Sequence, residues 1–449
     1  MILKVLLILL IIYLAVGFFI VYQRKKNWLP LIILVILWYV PRQTAPGGWF
    51  ESLIYLRWIS YGIILALLVL FLFDNVSSGL KSFREFNVFI PILLFSITWI
   101  SSGIYNDSSL FAIVLGILNY IRYPLLFYIF LNIEFDDSVT PAFLKLFFFL
   151  VIIQIPESFI RYFMGYRWDN LSYTLGSYGT FDLGVYAIMA TCLLAVYGVN
   201  IRFKAYHVLF YLSMYFIAIA GEIKAYILGA PIMTICSTTI TIIQQRINFT
   251  RRMLFNFVLA ALMLLFSIIA INVFESFQIG RKNILDHYID KFTYLINPYK
   301  SAYVYDPSLE RTAGLFHLLN NINLEFDTVL VGFGPGSSFV GTIGEAGKRT
   351  HLIAFMNQIT AILLDCGLLG LIFYYLFLIN LLRMILKTNM YLDDKRSQVI
   401  AAALFGYWIF YSVLGPFYVQ IWRHDSSNYI FYFLLSSVFV KYRKEIRTQ

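Results

Sequence analysis

Hydrophobic runs of membrane-crossing length recur from one end of the chain to the other. Runs near 2–22, 53–73, 86–100, 110–131, 141–160, 180–200, 205–220, 223–243, 253–274, 358–382, 398–414 and 427–440 read as spanning helices, and a short run at 28–40 brings the total to about thirteen. About 20 apolar residues rising 1.5 Å each are what a hydrocarbon core requires. The pattern predicts an all-α polytopic integral membrane protein with 12–13 transmembrane helices, residues 1–449 forming one transmembrane domain. The first run contains Lys4 but no small-residue cleavage site after it, so it is expected to persist as a helix. One long polar interruption, 275–350, breaks the rhythm, and a smaller one occupies 161–179. Short turns suffice to link membrane helices, so an extended insert is where recognition or chemistry is expected.

Within the insert, 281–295 has apolar residues at helical spacing, and 308–324 opens at Ser308 with Glu310 and Arg311 in its first turns. Pro298 and Pro307 break the stretch between them. Lys and Arg collect in Arg24-Lys25-Lys26, Lys81/Arg84, Arg202/Lys204, Arg246/Arg251/Arg252, Arg383/Lys387/Lys395/Arg396 and the tail from Lys441 to Arg447. With the spans above all of these fall on one side, which the positive-inside rule makes cytoplasmic. The C-terminus is then cytoplasmic and 275–350 faces out. The acidic loop at 132–140 (Glu134, Asp136, Asp137) also lies inside, where carboxylates weigh little.

Composition supports the same class: 60% of the 449 residues are hydrophobic, 19% aromatic and only 13% charged, against about 25% charged in soluble proteins. The formal charge of +10 is spread over many short loops, which argues against a nucleic-acid partner. Cys192, Cys236 and Cys366 all fall in expected spans and read as small packing residues.

Three sets of residues carry candidate chemistry. The first is Arg311 with the turn Gly332-Phe333-Gly334-Pro335-Gly336. A guanidinium matches phosphate oxygens in a bidentate way, and glycine amides line anion-binding nests; a solvated turn after a short helix is the alternative. The insert holds seven Lys/Arg against eight Asp/Glu, so any anion site must be local. The second set is ionisable groups at membrane depth: Arg122 in Asn119-Tyr-Ile-Arg122-Tyr-Pro124, and Glu222 and Lys224 in Gly221-Glu222-Ile-Lys224. A charge there is costly, which makes each a functional candidate, although Lys224 and Arg161, near outer ends, have the alternative of snorkelling to the interface. Third are His317 and His351, either of which suits a general base at neutral pH. No metal-ligand spacing and no Walker-type glycine loop occurs, so no cofactor is expected.

Taken in order, these motifs resemble the O-antigen polymerase and O-antigen ligase superfamily of bacterial surface-polysaccharide assembly. The resemblance covers about 155–415 and is best between 311 and 370. It rests on Arg311 opening a helix in the large loop, the glycine turn about twenty residues later, then Met356-Asn357, nine residues, and Gly367-Leu-Leu-Gly370 with Asp365 as an acid two before the first glycine. Gly176-Ser-Tyr-Gly179-Thr180 resembles the family's glycine-rich outer loop, and Gly221-Glu222-Ile-Lys224 its basic motif. One departure stands out: ligases carry histidine where this chain has Met356, and His351 lies five residues earlier. That favours a polymerase over a lipid A-core ligase.

The resemblance implies a GT-C-like fold in the bacterial cytoplasmic membrane and glycosyl transfer at its outer face. The donor would be a polyprenyl-diphosphate-linked oligosaccharide, polymerised into O-antigen, capsule or exopolysaccharide alongside a chain-length regulator and a flippase. With the residue-level candidates above, the residues put forward as catalytic are Arg311, His317, His351 and Asp365. For substrate binding they are Arg122, Arg161, Glu222, Lys224, Gly332, Gly334, Gly336 and Asn357. The alternatives are a ligase moving the glycan to another acceptor and a non-enzymatic flippase or transporter, which would place paired broken helices near the midplane in two related halves.

Overall fold

The computed structural model describes residues 62–64, 66–69, 86–132, 136–166, 171–172, 179–200, 205–221, 223–245, 253–266, 326–337, 357–392, 394–418 and 425–448. All regular structure among the described residues is helical. After a helical fragment at 62–69 come α1 (Phe86–Tyr105), α2 (Leu110–Asn132), α3 (Val139–Phe163), α4 (Gly179–Asn200), α5 (Ala205–Ala220) and α6 (Lys224–Gln245). They are followed by α7 (Met253–Phe266), a short α8 (Phe326–Val331), α9 (Gln358–Tyr391) and α10 (Lys395–Ile409). A π-helical turn (Phe410–Leu414) runs into α11 (Gly415–Tyr418), and α12 (Asp425–Thr448) ends the fold.

Among the described residues seven helices are long and apolar enough to cross a membrane: α1 to α4, α6, α9, and α10 with its π turn. α5 and α7 are apolar but shorter. The expected spans at 2–22, 28–40 and most of 53–73 lie outside the described residues, as does nearly all of the insert. α9 continues nine residues past the expected end at 382, because Arg383 and Lys387 fall on an exposed face while Met384, Ile385 and Thr388 stay buried. α1 packs along α9, α4 lies between α6 and α10, α2 lies on α12, and α3 packs on α4 and α5. Lipid supplies no hydrophobic drive between helices, so close packing of side chains must hold them. Here aromatic rings do much of it: Phe127 and Phe377 both meet Tyr432, and Phe130 and Phe143 both meet Phe433. Cys192 and Cys366 are buried within this packing, and none of the three cysteines forms a disulfide.

The ends of α2, α9 and α12 meet on one side of the bundle. There Asp394 caps α10, accepting from the Ser397 amide at 3.0 Å and hydroxyl at 2.8 Å. It also takes the Lys441 ammonium of α12 at 2.8 Å, while the Arg443 guanidinium donates to the Leu131 carbonyl of α2. Partial burial raises the Asp394 carboxyl, but Lys441 and Ser397 outweigh it and hold it at about 2. An unfolded aspartate titrates near pH 3.9, so the contribution of this group is in place above about pH 4 and is lost as pH falls toward 2. Replacing Asp394 with Ala removes both the cap and the ion pair, and should destabilise the purified protein by about 1–2 kcal/mol in thermal unfolding in detergent. Lys441→Met leaves the cap and should cost clearly less.

A broken helix closed by a glycine turn

At its N-terminal end α9 is two helices joined across a break. Asn357 caps the first piece, its side chain accepting from the Thr360 amide at 2.8 Å. At Gly367 the backbone leaves helical geometry (φ 64°, ψ −163°). In an unbroken helix the carbonyls of residues 364 and 365 would accept from amides four residues on. A break just beyond them removes those donors, and lipid offers no replacement. The fold provides two others: the Phe333 amide donates to the Leu364 carbonyl at 2.7 Å, and the Ser102 hydroxyl of α1 donates to the Asp365 carbonyl at 2.8 Å.

The turn that supplies Phe333 is held from both sides. Asn106, just past α1, donates to the carbonyls of Gly332 (3.1 Å) and Ser102 (2.9 Å). The Tyr105 hydroxyl binds the Asp327 carboxylate in α8 and holds that carboxyl below its usual range. Gly332, Gly334 and Gly336 all have positive φ (82°, 96° and 93°) and are buried. At Gly332 a Cβ would sit 2.6 Å from the Gly367 nitrogen; at Gly367 it would sit 2.4 Å from the Leu330 carbonyl group. The two glycines are therefore required by backbone contact as well as by conformation.

This packing narrows the anion-nest reading of the turn. The Gly332 amide is used by the Thr328 carbonyl, the Phe333 amide by Leu364 and the Ser337 amide by Gly334. Pro335 has no N–H, so within the glycine run at most the amides of Gly334 and Gly336 are left for an anion.

The structure brings the glycine turn, through Gly332 and Phe333, against the backbone of Leu364 to Gly367, while Asn357 caps the start of the same broken helix. Asp365 is fully buried. Arg122 is buried in α2, its guanidinium 4.5 Å from the Tyr123 ring, which in turn meets Tyr429 of α12. Arg161 belongs to a different group of helices. It lies half-buried in the last turn of α3, 3.7 Å from Glu157 and over the Tyr166 ring. Lys224 opens α6, with its side chain outside the description. Arg311, His317, His351 and Glu222 lie outside the described residues.

One buried charge went unread in the sequence. Among the described residues the buried Asp, Glu, Lys and Arg side chains are Arg122, Asp182 and Asp365, and Asp182 was a lone acid in the first turn of an expected span, which the cost of charge at membrane depth would have flagged. Elsewhere in the bundle interior the Tyr411 hydroxyl donates to Asn428 and lies 3.3 Å from the Tyr432 hydroxyl. No family model matches the chain, and no curated protein is significantly similar to it.

Gly332→Ala and Gly367→Ala should each lower thermal stability by about 2–4 kcal/mol, combining positive-φ strain with overpacking. Gly165 also has positive φ but open space around its Cβ position. Gly165→Ala, which isolates the strain, should cost only about 1 kcal/mol in the same assay.

Proposed function

We propose that the protein is a glycosyltransferase of the O-antigen polymerase type. It would join polyprenyl-diphosphate-linked oligosaccharide units into a surface polysaccharide at the outer face of the bacterial cytoplasmic membrane, on a GT-C-like scaffold. The observation that carries this reading is the union of two motifs. The glycine turn at 332–336 and the Asn357…Asp365-Cys-Gly367 segment carry the resemblance separately in sequence, and in the fold they form one unit through the Phe333–Leu364 hydrogen bond. That unit anchors the C-terminal side of the polar insert to the membrane bundle, beside the end of α1.

In this mechanism a hydroxyl of the acceptor repeat unit attacks the anomeric carbon of the donor's reducing-end sugar. The bond from that carbon to the diphosphate oxygen breaks, and polyprenyl diphosphate leaves with the electron pair. Arg311 and the amides of Gly334 and Gly336 stabilise the charge growing on the leaving group. His317 or His351 takes the acceptor proton. Asp365, enclosed behind the turn, positions the broken helix, and Arg161 and Lys224 lie at helix ends where a second phosphate or the sugars are met.

A transporter of the same lipid-linked sugar is the second reading, favoured by the break at Gly367 and by the buried charges of α2 and α4. Glycan length on gels from a deletion strain complemented with wild type or Arg311→Ala separates the readings. Loss of an arginine from a desolvated diphosphate clamp costs about 2–5 kcal/mol, enough to stop turnover in practice. A polymerase gives a ladder collapsed to a single repeat unit on its final acceptor. Long polymer stranded on polyprenyl diphosphate would mean a ligase, and an unchanged ladder would remove Arg311 from the mechanism.

A further inference from the structure

A second feature lies at the opposite end of the bundle. Residues of α3, α4, α5, α10 and α12 enclose a cavity of about 1100 Å³. Its walls are apolar, with Leu144, Phe148, Ile152, Ile155, Leu209 and Phe210 among the lining side chains. Ile152 and Leu209 are also exposed, 51% and 66%, so the groove opens sideways where lipid would lie. Along α3 it runs from Thr140 to Pro156, about 24 Å of helical rise, which is most of a hydrocarbon core.

All charged lining groups sit at one end. The cations are Lys145, Arg396, Lys441 and Lys444, and the acids are Asp136, Asp137 and Asp394. The Lys441–Asp394 pair is already closed. Asp136 is engaged at the start of α3, where its carboxylate accepts from the Ser138 amide at 3.0 Å. Lys145, Arg396 and Lys444 are exposed around the mouth. α3 and α10 also begin there, so their positive dipole ends face the same rim.

We infer that this groove binds an anionic phospholipid of the cytoplasmic leaflet, its phosphate held by Lys145, Arg396 and Lys444 and one acyl chain lying along α3. A basic mouth between membrane helices on the cytoplasmic side recognises anionic head groups in this way. The three cations against Asp136 and Asp137 leave the rim net positive, which selects an anionic head group over a zwitterionic one. The inference depends on which side is cytoplasmic and not on the glycosyltransferase reading.

The test is native mass spectrometry of the full chain released from membranes of phosphatidylcholine with or without phosphatidylglycerol. Wild type should retain one phosphatidylglycerol in preference to phosphatidylcholine. The triple variant Lys145→Gln, Arg396→Gln, Lys444→Gln should lose that preference by about tenfold or more. Its unfolding temperature in pure phosphatidylcholine, expected to match wild type, confirms folding. Ser213→Trp, which fills the groove wall, should abolish retention of both lipids. Equal retention of the two lipids by wild type, or an unchanged preference in the triple variant, would overturn the inference.

Discussion

A membrane helix that stops being helical must find partners for the carbonyls it orphans, and the end of the bundle around Gly367 is organised by that requirement. The break at Gly367 releases the carbonyls of Leu364 and Asp365, and the chain answers with the Phe333 amide and the Ser102 hydroxyl. One donor comes from the turn that closes α8 and the other from the end of α1, so satisfying two oxygens ties three distant segments together. Unmet, each would cost several kcal/mol in hydrocarbon. The glycines follow from this, because backbone can reach backbone only where no Cβ intervenes, as at Gly332 and Gly367.

The same accounting explains the interior of the bundle. Arg122, Asp182 and Asp365 are buried, and tyrosines fill much of the space around the helices that carry them. Tyrosine suits such a core because its ring packs as an aromatic while its hydroxyl serves a polar neighbour. Tyr226 pairs with Thr191 at 3.0 Å, Tyr215 donates to the Ile227 carbonyl at 3.1 Å, and Tyr411 reaches Asn428 across the π turn. A π turn widens the helix by one residue locally and recurs at functional sites. Here it carries Tyr411 into the polar interior.

Hydropathy located the helices because spanning length and apolarity are local properties, and the helix ends at 105, 163, 200 and 220 fall within five residues of the expected ones. It could not locate the break in α9. Apart from Asp365, Gly367 sits among apolar residues whose hydropathy continues past it, and only contact with Leu330 and Gly332 reveals why it is glycine. The turn at 332–336 was legible as special but ambiguous in purpose, since positive φ serves an anion nest and close packing alike. Asp182 is legible as an acid in the first turn of an expected span. Arg311, His317 and His351 lie outside the described residues.

The length of α9 determines the depth at which the united motifs sit. From the break to Arg383, which falls on an exposed face, residues 368–382 rise about 22 Å, short of a hydrocarbon core of about 30 Å. The segment from Asn357 to Cys366 is therefore needed to complete the crossing, and the break lies inside the core, off its middle. Buried there, the Leu364 and Asp365 carbonyls depend on the Phe333 amide and the Ser102 hydroxyl. A transporter needs its site near the midplane to alternate access. The transferase proposed above needs its site where the diphosphate meets water, so on that reading the chemistry belongs on the Asn357 side of the break, toward the polar insert, and the break itself is scaffold.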